Sequence, residues 1–392
     1  MKVMRAVCLI FAFVISACAN QPAKSVKPLP LNVQAPLPYY PEFGDTPQLI
    51  SSTQIFQLSP AQQLQFEQFL KRQNSRNISR HDAVARFLKK FIRAFNFRTE
   101  TQTAQDTWEK NKGNCMSLAI LTKSLADYAG VETTFELMQS LPIFDRKGST
   151  IIRADHIRSV LHPARSKSTS GVISLFNSAI RIDYFPTSGA SDKKPISDKE
   201  FIAIFYRNLA AERLMVGDVQ QAYWLSLKSL ELDNHHPHAL NMLALVYEKI
   251  GKFSAADKLY QFALKYTQEP LELLSNYRDF LKHQNRLSEA KMIEQRLIDY
   301  DNNNPFKWLD LADEAFESGD LVRAKNYYEK VIHIAPYLHF GYQGRGQVEF
   351  KKGNLRNAKK AYSKAKSLAY DDQSIALYQA KLIALSEYSG RR

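Results

Sequence analysis

One residue in this chain has the chemistry of a nucleophile and the setting to use it. Cys115 stands in Lys-Gly-Asn-Cys-Met-Ser-Leu-Ala, where Gly113 and Asn114 are helix-starting residues. Behind it Leu118, Leu121, Leu125 and Ala129 recur at helical spacing up to Gly130, a helix-ending residue. The pattern predicts a buried helix with Cys115 in its first turn. There the unpaired backbone N–H groups and the positive end of the helix dipole favour a thiolate over a thiol. A thiolate becomes a catalytic nucleophile only with a base beside it.

The nine histidines sort by region. His81 precedes the cysteine helix, and His235, His236, His238, His283, His333 and His339 fall in the C-terminal half. His156 and His162 lie in the region between. Beyond Gly130 the apolar period changes from near 3.6 to near 2, which predicts strands at 131–138, 151–161, 172–176 and 180–185, with Pro142, Asp145 and Gly148 marking a loop. Six residues along a strand span roughly 20 Å, so His156 and His162 cannot both serve one thiol. Asp183, between Ile182 and Tyr184 in the last of these strands, is a carboxylate that needs a partner if it is buried. His235, His236 and His238 are close enough to bind a metal adventitiously, but they lack the ligand pattern of a structural zinc site.

Ahead of the cysteine the chain reads as helices. Ser59-Pro60 is an N-cap followed by proline at the first helical position, and Ser79 with Asp82 starts a second helix bearing Val84, Phe87, Leu88, Phe91 and Ile92. A short helical piece from Thr103 to Trp108 leads to Cys115. A cysteine-bearing helix followed by an antiparallel sheet is an α+β layout.

With these residues in hand, Gly-Asn-Cys, Asp-His-Ile and Ile-Asp-Tyr-Phe-Pro resemble the transglutaminase-like superfamily, a papain-like α+β fold, over about residues 78–204. The resemblance implies that Cys115 is the nucleophile, His156 the base that takes its proton, and Asp183 the group that orients the imidazole. It also suggests that Trp108 and Asn114 line a substrate site. The implied activity is a cysteine-dependent amidohydrolase or peptidase, or a transglutaminase-like acyltransferase. Hydrolysis is the expectation, because solvent water outcompetes an amine unless a dedicated site excludes it. A non-catalytic adaptor, in which both domains only bind partners, is the alternative.

The second half has its own period. Gly217, Gly251, Asn285, Gly319 and Gly353 recur every 34 residues, each followed five residues later by Ala222, Ala256, Ala290, Ala324 and Ala358. This resembles five tetratricopeptide repeats with a capping helix at 372–389, and implies a protein or peptide partner. Tyr260, Tyr328 and Tyr362 share a register that Glu294 breaks in the third repeat. Residues expected on the concave face, among them Asn241, Glu248, Glu272, Asp279 and Asp313, are mixed with Lys249 and the glutamines Gln343 and Gln347, so no ligand charge follows.

The start of the chain addresses location. Lys2 and Arg5, the apolar run from Val7 to Val14, and Ile-Ser-Ala-Cys at 15–18 form a secretory signal whose end resembles a bacterial lipobox. That resemblance implies a lipid on Cys18, loss of Cys8 with the signal, and, with Ala19 following, an outer-membrane address. Cys115 is then the sole thiol in an oxidising compartment. The expected organisation is a signal at 1–18, a proline-rich tether or packed strap at 19–58, a transglutaminase-like domain at 59–200 and an all-α repeat solenoid at 201–392. The 392 residues carry 53 Lys or Arg against 39 Asp or Glu, a net +14. An anionic surface suits that charge, whereas nucleic acid is excluded by compartment and by the lack of any recognition motif. No cofactor or metal is expected.

Overall fold

The computed structural model describes residues 34–98, 100–147, 150–164, 178–184, 193–267, 271–298, 304–369 and 372–390. The signal, Cys18 and the strand expected at 172–176 lie outside them. Three short helices open the N-terminal unit: α1 (Ser52–Phe56), α2 (Pro60–Asn74) and α3 (Arg80–Ile92). Each starts on a serine whose hydroxyl accepts from the third helical N–H, and Ser51 and Ser59 complete capping boxes with Gln54 and Gln62. Next come β1 (Asn96–Phe97), α4 (Ala104–Lys110), β2 (Lys112–Gly113) and α5 (Cys115–Tyr128). Apolar almost all round, α5 is buried, with α1, α3, α4 and the sheet packed against it.

The sheet contains β3 (Thr133–Lys147), β4 (Thr150–Leu161), β5 (Ile180–Asp183) and β6 (Lys193–Ile196) in the order β5-β4-β3-β6, every pair antiparallel. Its inner face places Phe135, Ile157, Leu161, Tyr184 and Ile196 in one core with α5. Two expectations change here. The loop predicted around Pro142 and Asp145 is strand: β3 continues to Lys147 past a register shift between Met138 and Ile143, where Pro142 costs no regular ladder bond. And β6, Lys-Lys-Pro-Ile, was not foreseen because it lacks alternation; it is an edge strand protected by lysines and proline.

Helix α6 (Asp198–Met215) joins the two halves. Its Phe201 stacks on Phe135 of β3 at 3.7 Å, while its other side pairs with α7 (Val219–Leu232) as the first repeat. Four more antiparallel pairs follow: α8 (Pro237–Lys249) with α9 (Phe253–Tyr266), α10 (Leu271–His283) with α11 (Leu287–Ile298), α12 (Pro305–Glu317) with α13 (Leu321–Ile334), and α14 (His339–Lys351) with α15 (Leu355–Leu368). The single helix α16 (Asp372–Gly390) covers the end. The five turn residues have φ between +58° and +83°, open to glycine and tolerated by Asn285. The five alanines are at most 1% exposed, so the helices meet over a methyl group. Tyr328 lies so close to Gly344 that a Cβ there would stand 2.0 Å from its ring. In the third repeat Glu294 turns to solvent and pairs with Lys282 at 3.2 Å. Among the described residues no helix is long and apolar enough to cross a membrane.

Of the tether and the strap, residues 34–58 form the strap. Phe43 is fully buried and stacks on Tyr223 with ring centroids 3.6 Å apart. Trp224 Nε1 donates to Phe43 O, Tyr247 Oη to Pro38 O and Tyr206 Oη to Ile50 O, at 2.7–3.1 Å. Phe43→Ala is expected to lower unfolding stability by about 3–5 kcal/mol in denaturant titration. A residue of a free tether would leave the midpoint unchanged.

Candidate active site

Backbone strain and a cap place Cys115. Gly113 has φ +146°, and a Cβ on it would come within 2.7 Å of the Ser117 side chain, so only glycine fits. Asn114 Oδ1 accepts from Ser117 N–H at 3.0 Å, Ser117 Oγ accepts from Asn114 N–H at 3.2 Å, and Asn114 Nδ2 donates to Thr101 Oγ1 at 2.8 Å. Asn114 is therefore the N-cap of α5. Cys115 follows as the first helical residue, 6% exposed and outside any disulfide, beside the orphan N–H groups of α5.

His156 and Asp183 meet across β4 and β5. His156 is wholly buried, and its Nε2 lies 3.0 Å from Asp183 Oδ1. With Nε2 turned to the carboxylate, proton transfer from a thiol falls to Nδ1. The other expected candidate, His162, is elsewhere: its Nε2 is 2.8 Å from Thr134 Oγ1. Two residues were missed. Arg158 is the register partner of both Asp183 and Glu136, with Nη1 3.7 Å from Asp183 Oδ2 and Nη2 3.5 Å from Glu136 Oε2. Arg181 and Lys193 also lie within 3.5 Å of the buried Glu136. Asp183 is thus held between an imidazole and a guanidinium on one face of the sheet. Alternation from His156 to Arg158 was the available signal.

On the opposite face, Tyr184 links the elements carrying these groups. Its hydroxyl is 2.7 Å from Thr122 Oγ1 on α5 and 2.6 Å from Ser159 Oγ on β4. Burial pushes the phenol well above its usual range against the pull of those two partners. Trp108, proposed from sequence to line the site, packs its ring 4.9 Å from Phe87 in the aromatic core. His238 pairs with the buried Glu272, and His236 Nδ1 faces Arg207 at 3.5 Å, so the histidine group is divided among separate partners.

The repeat side holds the loop that leads to the site. Arg98 pairs with Asp372 of α16 at 2.8 Å, and Thr101 N–H donates to Glu212 of α6 at 2.7 Å. Burial raises the Glu212 carboxyl to about 7; the Thr101 hydrogen bonds oppose this and the Glu100 charge adds to it. From about pH 4.5 to 7 the folded chain binds more protons at Glu212 than the unfolded chain does. Stability from this group therefore falls as pH rises through that window. Glu212→Gln should remove about 1–3 kcal/mol of that decline, read as unfolding free energy at pH 5 against pH 8.

Residues 341–372 match the family model of the tetratricopeptide repeat. No curated protein is similar enough to match the chain. Among solved structures the chain is similar to YrrB, described as a TPR protein with an unusual peptide-binding site, at 23% identity over 46% of this chain and 92% of that one, TM-score 0.24. It is also similar to pilF of Pseudomonas aeruginosa (19% identity, 50% and 100% covered, TM-score 0.29) and to yeast Tom70 (17%, 46% and 40%, TM-score 0.33). The 34-residue period and the left-handed turns extend the pattern of the matched residues: the C-terminal half of this chain is a helical, tetratricopeptide-like solenoid.

Proposed function

We propose that this protein is a lipid-anchored envelope enzyme that uses Cys115, His156 and Asp183 for acyl transfer, and that its repeats position it on a protein partner. The observation that carries the reading is the 3.0 Å contact between His156 Nε2 and Asp183 Oδ1 beside a helix that begins at Cys115. In this reading Cys115 attacks an amide carbonyl and the thiol proton passes to His156. Asp183 stabilises the imidazolium, and the protonated imidazole then gives its proton to the leaving amine. The Cys115 backbone N–H, an orphan donor at the helix start, is the candidate for the developing oxyanion. Water resolves the acyl-enzyme, which makes the reaction peptide or amide hydrolysis; an amine would make it transamidation. The resemblance to the transglutaminase-like superfamily supports the same assignment. The lipobox-like Ile-Ser-Ala-Cys supports anchoring through Cys18, with an outer-membrane address.

The burial of Cys115 and of His156 favours a second reading, an adaptor in which the domain binds without catalysis. The two separate in one experiment. The chain is incubated with a peptide library, with and without an excess primary amine, and products are read by mass spectrometry. Hydrolysis predicts new carboxyl termini that vanish with Cys115→Ala, and transamidation predicts amine adducts. Equal product lists for wild type and Cys115→Ala would leave the adaptor.

A further inference from the structure

Charge is unevenly distributed along the solenoid. Residues 341–369 contain eight Lys or Arg and one acid, Glu349. Glu349 is 1% exposed and bound to Lys325 at 2.9 Å, so every charge that this segment shows to solvent is positive. Lys351, Lys352, Arg356, Lys359, Lys360 and Lys364 are all exposed. Elsewhere in the array several cations sit on carboxylates: Lys228 on Glu231, Lys282 on Glu294, Arg286 on Glu289 and Arg323 on Asp320. On α15, among the described residues, the partners are neutral: Lys359 meets Ser386 Oγ and Lys366 meets Gln379 Oε1.

This arrangement opposes folding. On α15, Arg356 and Lys360, and Lys360 and Lys364, are like-charged neighbours four residues apart, each pair repulsive. The buried side of α15 is Ala358, Ala361, Tyr362 and Ala365, so packing does not require the cations. An anionic surface brought against them would turn the repulsion into attraction. The patch is one helix face and the turn before it, without a groove. Beside Lys351 and Lys352 stands Phe350, 46% exposed, and an aromatic ring among lysines suits the boundary between lipid headgroups and acyl chains.

We propose that the solvent face of α15, with the turn formed by residues 350–356, docks on an anionic phospholipid bilayer. The contact orients the solenoid on the membrane and does not depend on the chemistry of Cys115 or on a lipid at Cys18.

The test uses the chain from residue 19 without lipid, which retains every described element. It is sedimented with phosphatidylcholine vesicles made with and without phosphatidylglycerol. One variant carries Lys352→Gln, Arg356→Gln, Lys359→Gln and Lys360→Gln. A second, matched in charge, carries Lys89→Gln, Lys90→Gln, Lys258→Gln and Lys291→Gln. The proposal predicts binding to phosphatidylglycerol vesicles only, weakened by salt, and lowered about tenfold or more in the first variant but much less in the second. The first variant is also expected to melt no lower than wild type, because like-charge pairs are removed. Equal losses in both variants, or no preference for phosphatidylglycerol, would overturn the proposal. So would tighter binding to a duplex oligonucleotide than to the vesicles at the same salt.

Discussion

The arrangement of the site rests on three hydroxyl groups inside the core. Thr122 and Ser159 come from α5 and β4, the elements that carry Cys115 and His156, and Tyr184 directly follows β5, which ends at Asp183. Buried hydroxyls are costly unless each finds a partner, and these satisfy one another while Thr122 also donates to Leu118 O at 2.7 Å. Thr122 lies two helical turns from Cys115, Ser159 three residues from His156, and Tyr184 directly after Asp183. Helix and sheet therefore cannot slide past each other without breaking the cluster, which fixes α5 against the strands that carry His156 and Asp183.

Above the sheet the constraint is electrostatic. Asp183 is shared by His156 and Arg158, and Arg158 is shared by Asp183 and Glu136. Ionised groups this close to the core are tolerated because each faces an opposite charge, and removing one would strand its neighbour. The repeats add a third constraint. Helix α6 belongs to both cores, the strap anchors Phe43 under Tyr223, and Glu212 and Asp372 hold the loop ahead of α4. The solenoid is thus tied to the loop that leads to α4 and to the start of α5.

How far the sequence could be read depended on the range of the interactions involved. Helix starts at Ser59, Ser79 and Asn114, and turns at the 34-residue glycines, are local: capping and left-handed φ leave signatures within a few residues. The choice of His156 over His162 needed the resemblance, because the two are only six residues apart and the partners that separate them come from other strands: Asp183 for His156, and Thr134 for His162 just past the end of β4. Strand β6 and the length of β3 were missed because edge pairing and a register shift are decided by neighbours distant in sequence. The same applies to Arg158 and Glu136, whose role exists only once three strands are side by side. For Trp108 and Asn114 the structure adds a packing contact with Phe87 and a helix-cap role that the sequence alone did not assign.

The central claim is that His156 activates Cys115. The measurement that reaches it most directly is the rate of Cys115 alkylation as a function of pH, in wild type and in His156→Ala. The account predicts a wild-type rate governed by an apparent thiol pKa well below ~8.5, with that shift lost in the variant. A slow reaction with an ordinary or raised thiol pKa, unchanged by the substitution, would contradict it and leave the domain as a binding module.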